Sequence, residues 1–554
     1  MLQIGLRMAL RFGLGAAFGI YLLVQIATSV HLCQGELVYS LDDAYIHMGL
    51  AKHLVEQGVW GVGDGFASAS SSVLWPLALA AVYAVKGPDI YTPLVFEFLG
   101  LFGLMYFLHR LVRREFGSLD RRGWPVGVAF LAIVLVAPAT TLALLGLEHI
   151  WHLVAVLVVV DQAAAVLSRD AAASPITVDP RTVRPLLWLA PLLTLIRFET
   201  LALVPVVAGL LFWRGYRRAA FLFFAGALLP VFLMGLGSMA LGGFFWPNSL
   251  ILKTGRLAPG EGLTAKLLAI LQQLLVVAVK QPHFFLLTLF SLATLAVTLY
   301  FTRRFFTAPA MVLVLSLSQS LAHAIFGNFD WFYRYDAYLL SLAVFANLYA
   351  FAWLLRPLAA TQPDSLPVRR SGWKVATAAL ILIVLAIPTG MLLARRSLEA
   401  NRKTPLAARN IFEQQIQIAR FLRQEYSGAQ VAVNDIGAVS YFADFRPLDL
   451  FGIGSNEVVA ARMDHNFGRQ WLEKTAASRN LDIAVLYEPW FRDELPPSWI
   501  RVGEWEIQEN VVCAQPVVTF FAATPEKAAR LARSLARFDA QLPDRVRRYS
   551  NHSF

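Results

Sequence analysis

Eleven apolar runs, most of them close to the length that crosses a bilayer, dominate the chain: 8–32, 73–86, 91–109, 124–143, 150–167, 185–213, 219–241, 284–301, 307–325, 337–355 and 375–394. No soluble core can hide so many. Of 554 residues, 57% are hydrophobic and only 15% are Asp, Glu, Lys or Arg, whereas a soluble domain carries about 25% charged residues. The sequence therefore predicts a polytopic α-helical membrane protein, with about 11–12 transmembrane or re-entrant helices. Disorder, a coiled coil and a secreted disulfide scaffold are excluded. Two cysteines, Cys33 and Cys513, build no CxxC metal site, and nothing in the sequence brings them within reach of each other.

The net charge of +11 is unevenly placed. Residues 395–554 hold 21 Lys and Arg against 19 Asp and Glu, and residues 1–394 hold 27 against 18. Most of the excess lies between apolar runs: Arg110, Arg113, Arg114, Arg121 and Arg122; Arg169, Arg181 and Arg184; Arg214, Arg217 and Arg218; Arg303 and Arg304; and Arg356, Arg369, Arg370 and Lys374. Such clusters mark cytoplasmic loops, so the basicity calls for a lipid bilayer and no nucleic-acid partner. Arg7 before the first run places the N-terminus in the cytoplasm, and the lack of an A-x-A cleavage site makes 8–32 a retained helix.

Two runs resist simple counting. Run 73–86 is shorter than the ~20 residues of a full crossing, which suggests a short or re-entrant helix. Run 185–213 has basic clusters at both ends and carries Arg197 and Glu199 near its middle. Two short helices meeting at Arg197-Phe198-Glu199 satisfy both facts. The outer face then collects 33–72, 144–149, 197–199, 242–283 and 326–336. Everything after the last run, 395–554, becomes an extracytoplasmic α/β domain, beyond a transmembrane domain of 1–394. In it, 405–424 reads as an amphipathic helix. Residues 429–435, 446–450, 481–487 and 517–523 read as strands, and 467–480 and 525–542 as helices.

Chemistry concentrates on the outer segments. Asp42 and Asp43 stand at the start of 44–57, whose Ile46, Leu50, Leu54 and Val55 suit a helix lying on the membrane surface. Asp42 could simply cap that helix, the commoner role for such an Asp; a carboxylate at this face could also act as a general base on a hydroxyl. Arg197 and Glu199 inside an apolar run are either an internal ion pair or functional charges. Lys253, five residues beyond Asn248 in Trp246-Pro247-Asn248-Ser249, is a cation on the face where basic residues are scarce, suited to a phosphate. Arg334 is another, among Phe329, Trp331, Phe332, Tyr333 and Tyr335. Glu148 adds a carboxylate beside His149 and His152, an i,i+3 pair whose spacing falls well short of a zinc signature. Convergent carboxylates and cations suit a reaction between a phosphorylated lipid and a hydroxyl acceptor.

These residues resemble a known family. Asp42-Asp43-Ala44-Tyr45-Ile46 looks like the first-loop signature of GT-C glycosyltransferases. The set is more closely similar to the bacterial arabinofuranosyltransferase-like branch through Gly146-Leu147-Glu148, Arg197-Phe198-Glu199, Pro247-Asn248-Ser249 with Lys253, and Arg334. Asn434-Asp435-Ile436-Gly437-Ala438-Val439-Ser440-Tyr441 with Leu448-Asp449-Leu450 resembles that branch's extracytoplasmic domain. Phe198 and Ser249 stand where the branch usually carries Pro and Thr.

The resemblance implies an inverting transfer of a sugar from a polyprenyl-phosphate donor to a glycan or glycolipid acceptor, outside the bacterial cytoplasmic membrane. Asp42 would be the base, with Asp43 supporting it or binding acceptor. Lys253 and Arg334 would hold the donor phosphate, and Arg197 and Glu199 would shape the pocket, with Glu148, Asn248 and Tyr335 among the substrate-binding residues. No cofactor is required; a divalent metal could assist through the carboxylates. A transporter or flippase of a lipid-linked glycan and a non-catalytic assembly protein are the competing classes.

Overall fold

The computed structural model describes residues 2–63, 65–116, 124–169, 180–252, 263–359 and 372–550. Among them, eight helices are long and apolar enough to cross a membrane, and a ninth span results if Pro125–Val136 and Ala139–Leu145, bent by 58°, count together. Leu74–Lys86, Val183–Ile196 and Phe198–Trp213 are shorter apolar helices. Large apolar side chains such as Phe102, Trp188 and Phe221 point outward, as lipid contact requires and water would not allow. The chain is a multi-pass membrane protein.

Charge sorts the two ends of the bundle. Tyr39 Oη donates to the Ile90 carbonyl (2.7 Å) and accepts from the Leu94 amide (3.1 Å), tying the first polar segment to the start of helix Thr92–Glu115. At the far end of that helix, Arg114 pairs with Asp161 (2.6 Å). The Arg110–Arg114 cluster therefore sits at the end remote from Asp42.

Run 185–213 breaks at Arg197. Helix Pro180–Ile196 ends there, Arg197 is extended (φ −157°, ψ 137°), and a 3₁₀ turn, Phe198–Ala202, leads into Leu203–Trp213. Three expectations differ from what is found. Segment 44–57 is helical as Asp43–Gln57, yet residues 44–51 are all buried. The helix is clamped between Leu74–Lys86 and the C-terminal domain instead of lying on a membrane surface. The segment 242–283 contains a further helix, Leu263–Lys280. The last apolar run does not stop near 394. One helix runs from Gly372 to Ile411, with Pro388 and Pro405 inside it, and continues through a π turn, Phe412–Ile416, into Gln417–Glu425. The amphipathic helix expected over 405–424 is the continuation of this one and not a separate element.

The C-terminal domain carries a six-stranded mixed sheet, β1 (Gln430–Val433), β2 (Arg446–Asp449), β3 (Ile483–Leu486), β4 (Ile500–Glu506), β5 (Val517–Ala522) and β6 (Arg547–Ser550), in the order β2-β1-β3-β5-β4-β6. Strand β1 is parallel to β2 and β3, and the other pairings are antiparallel. β1 and β3 are buried at every position, as a central parallel pair demands. Helices Gln417–Glu425 and Pro525–Phe538 cover one face, where Phe421, Trp505, Phe520 and Phe538 pack ring to ring.

Polar ties fasten this domain to the loops of the bundle. Lys52 Nζ donates to the Tyr441 carbonyl (2.9 Å). Asn456 Nδ2 donates to the Phe66 carbonyl (2.9 Å), and Arg420 pairs with Glu36. Cys33 and Cys513 are both buried free thiols.

Candidate active site

Asp42 is where the two domains meet. It immediately precedes helix Asp43–Gln57 with helical dihedrals (φ −64°, ψ −29°), but its side chain does not cap that helix. Its Oδ2 accepts the Gly437 amide and its Oδ1 the Ala438 amide, both at 2.8 Å. These amides open the short helix Gly437–Phe442 behind β1. Only glycine fits at 437: a Cβ there would lie 2.1 Å from the Asp42 carbonyl oxygen and 2.6 Å from Oδ2.

A cavity of about 470 Å³ opens beside this contact. From the bundle, Asp42, Asp43, Trp331, Arg334 and Tyr335 line it; from the C-terminal domain and its leading helix come Gln415, Asn434, Asp435, Phe451, Trp490 and Cys513. Asp43 Oδ1 accepts from Arg334 Nη2 at 2.9 Å and stays one-third exposed, while Arg334 is buried. The Arg334 guanidinium also lies 4.9 Å over the Tyr335 ring.

Arg334 is aimed by an unusual turn. Asp330, Trp331, Phe332 and Tyr333 have φ of 61°, 31°, 59° and 65°, a left-handed stretch that disfavours each L-residue by about 1–2 kcal/mol. Neighbours hold it. Gln281 Nε2 donates to Asp330 Oδ2 (2.9 Å), and Arg396 Nη2 donates to the Tyr333 carbonyl (3.1 Å) and to Asp336 Oδ1 (2.5 Å). Strain persists where the surroundings over-determine it, and such places cluster at functional sites.

Asp435 was not among the residues singled out from sequence as site residues. It accepts from Tyr487 Oη (2.7 Å) and Gln415 Nε2 (2.9 Å). Burial, then the Asp435 carboxylate, push the Asp42 carboxyl up to about 8, against the pull of its two amide donors. Burial raises Asp435 as well. Two buried carboxyls that feel each other cannot both ionise cheaply. The only sequence signal for Asp435 was its place in Asn434-Asp435-Ile436-Gly437; its approach to Asp42 spans 393 positions and no local pattern encodes it.

The other expected residues divide. Buried Arg197 and Glu148 form an ion triad with half-buried Glu199: the guanidinium bonds both Glu148 Oε1 and Glu199 Oε1. None of the three lines the cavity. His47, on the helix that follows Asp42, approaches Glu148 Oε2 at 4.0 Å. Asn248 is buried and ties domains together, its Nδ2 donating to the Ile453 carbonyl (3.0 Å) and Asn456 Oδ1 (2.9 Å). Lys253 lies outside the described residues. His149 is buried, and the His152 ring packs 4.3 Å from Tyr338. Among the described residues no group of three or more His, Cys, Asp or Glu is spaced to hold a metal ion.

Comparison with known proteins adds the following. A domain family described as a domain of unknown function, DUF8728, matches residues 409–521. No curated protein sequence matches the chain significantly. Among solved structures, ArnT from Cupriavidus metallidurans bound to undecaprenyl phosphate is similar, at 12% identity and a TM-score of 0.48, over 93% of this chain and 99% of that one. The apo oligosaccharyltransferase of Archaeoglobus fulgidus is similar at 13% identity and a TM-score of 0.44, over 94% of this chain and 78% of that one.

Proposed function

We propose that this protein is a membrane glycosyltransferase of the GT-C type. It moves a sugar from a polyprenyl-phosphate donor to a hydroxyl of a glycan or glycolipid, on the extracytoplasmic face of a bacterial cytoplasmic membrane. The N-terminus is cytoplasmic and residues 395–554 are outside. The observation that carries this reading is the cavity in which Asp42 and Asp43 stand beside Arg334, roofed by the C-terminal domain. Carboxylates and a cation at one wall are what a phosphate leaving group and a hydroxyl nucleophile need.

In the proposed step the acceptor oxygen attacks the anomeric carbon, the bond from that carbon to the phosphate oxygen breaks, and polyprenyl phosphate leaves with its negative charge. Asp42 takes the hydroxyl proton. A base works best with a pKa near the working pH, and the position of Asp42 supports it in that role. Asp43, paired with Arg334, orients the cation that receives the phosphate. Lys253 is proposed as a second phosphate contact, and the Glu148–Arg197–Glu199 triad as the support on which this wall rests.

The test is transfer by the purified chain in nanodiscs, with polyprenyl-phosphate sugars and released polyprenyl phosphate as the readout. Arg334→Gln should raise the donor KM by about 10–100-fold, the range of a lost charged hydrogen bond. An unchanged donor KM removes Arg334 from the phosphate site. Labelled donor that crosses the bilayer with no glycosidic bond formed supports the transporter class instead.

A pH profile tests the carboxyl pair. The groups facing Asp42 are Asp435, Asp43 with its Arg334, Tyr45, Tyr487 and Cys513. As a base Asp42 must be ionised, so kcat/KM should rise with pH toward about 8. Asp435→Asn removes a neighbouring negative charge, favours ionised Asp42, and should move this acid limb to lower pH. A limb that stays in place would mean that Asp435 does not act on the base.

A further inference from the structure

A second cavity, of about 420 Å³, adjoins the first: Phe451 and Trp490 line both. Its remaining wall comes from Ile251, Leu252, Arg462, Met463 and Phe491. The Phe451 and Trp490 rings stand 5.8 Å apart, and Trp490 keeps 39% of its surface exposed. A concave aromatic wall with one charged group is the usual make-up of a small-molecule subsite.

That charged group is Arg462, in the last turn of helix Asn456–Met463. It is half-buried. Its Nη2 donates to the Leu450 carbonyl (2.8 Å) and its guanidinium lies 4.0 Å over the Phe467 ring. Among the described residues no carboxylate comes within ion-pair distance of it. Glu494 and Asp449 attract it from beyond that distance, and Asp449 is engaged elsewhere, accepting the Phe451 and Gly454 amides at 2.9 and 2.7 Å. Burial disfavours the charged form of Arg462. A half-buried cation with no carboxylate in contact is costly, and this one faces an open cavity that leads to the proposed site of reaction.

We infer that the cavity at Phe451, Arg462 and Trp490 is an acceptor subsite for an anionic saccharide, its sugar ring stacked on Trp490 and its carboxylate or phosphate substituent on Arg462. Trp490 presents a flat apolar face at which a ring can lie, and the arginine fork matches either anion. Because the two aromatic residues also border the catalytic cavity, a glycan seated here extends toward Asp42. This assignment rests on the glycosyltransferase reading only for the word acceptor; binding itself can be measured without turnover.

The experiment is a titration of the full chain in nanodiscs with three matched oligosaccharide series: uronate-bearing, phosphate-bearing and neutral. At least one anionic series should bind about tenfold or more tightly than the neutral one; which one identifies the anion. Arg462→Gln should abolish that preference, and Arg462→Lys, which keeps the charge without the fork, should retain part of it should the glutamine variant fail to fold. Trp490→Leu should weaken all three series. Asp43→Asn should lose transfer and keep the preference. Equal binding of the three series to the wild-type chain, no binding of any, or a preference that survives in folded Arg462→Gln would overturn the proposal. A wild-type chain that binds the anionic series preferentially but never transfers sugar leaves the subsite standing and removes the enzyme reading.

Discussion

Asp42→Asn is expected to lower transfer by about 10²–10⁴-fold, the usual contribution of a positioned general base, with donor binding largely intact. The substitution is nearly isosteric, yet it is not silent in the fold. Asp42 accepts from two backbone amides of the C-terminal domain, one on each oxygen. An asparagine turns one acceptor into a donor that faces a donor, which costs about 1–3 kcal/mol. Loss of activity alone would therefore confuse lost chemistry with loosened docking. Gly437→Ala separates them. It keeps the carboxylate but sets a Cβ 2.1 Å from the Asp42 carbonyl oxygen, so Asp42 and the Gly437–Phe442 helix must part. The expected pattern is a strongly lowered melting temperature and faster proteolysis between the domains for Gly437→Ala, and a smaller fall in melting temperature with lost transfer for Asp42→Asn. Full transfer by Asp42→Asn would end its assignment as the base.

The sequence carried the membrane half through two signals that local physics makes strong, apolar length and arginine placement. It also located the break at Arg197-Phe198-Glu199, because charged residues inside an apolar run need a reason. Four of the six strands were legible, β1 and β3 most clearly, since both are buried on both faces and, after Gln430, read only as Val, Ala, Ile and Leu. β4 was hidden by Arg501, Glu504 and Glu506, which lie along its partly exposed positions, and β6 by being exposed throughout. The continuity of Gly372–Ile411 was hidden by Arg395 and Arg396, which look like the end of a membrane helix. Arg396 is instead buried on Asp336, so that charge serves the left-handed turn before Arg334. What no window could show is convergence: Asp435 and Trp490 reach the cavity only because the parallel pair β1–β3 carries the segments that follow it to one end of the sheet, where Gln415 of the π turn meets them.

Removing Arg197 should be the most damaging single change to stability. It is 5% exposed and Glu148 1%, and Arg197→Leu would strand the Glu148 and Glu199 carboxylates with their counter-ion gone. Breaking a buried ion pair on one side costs about 3–5 kcal/mol, a large part of what a domain has to spare. Glu148 already has one oxygen without a hydrogen-bond partner, 4.0 Å from His47 Nδ1, so it has little means of adapting. We expect the variant to accumulate poorly and to melt earlier. Replacing the whole triad, as Glu148→Gln, Arg197→Met and Glu199→Gln together, removes all three charges and should recover much of the loss, because ionic clusters are often exchanged for neutral ones at little cost. The recovered protein then decides what the triad is for. Transfer restored along with the melt makes it a brace between the two half-helices. A restored melt with transfer still absent means that its charge is felt at the Arg334 wall of the cavity, where Arg197 and Arg334 repel each other across a buried gap.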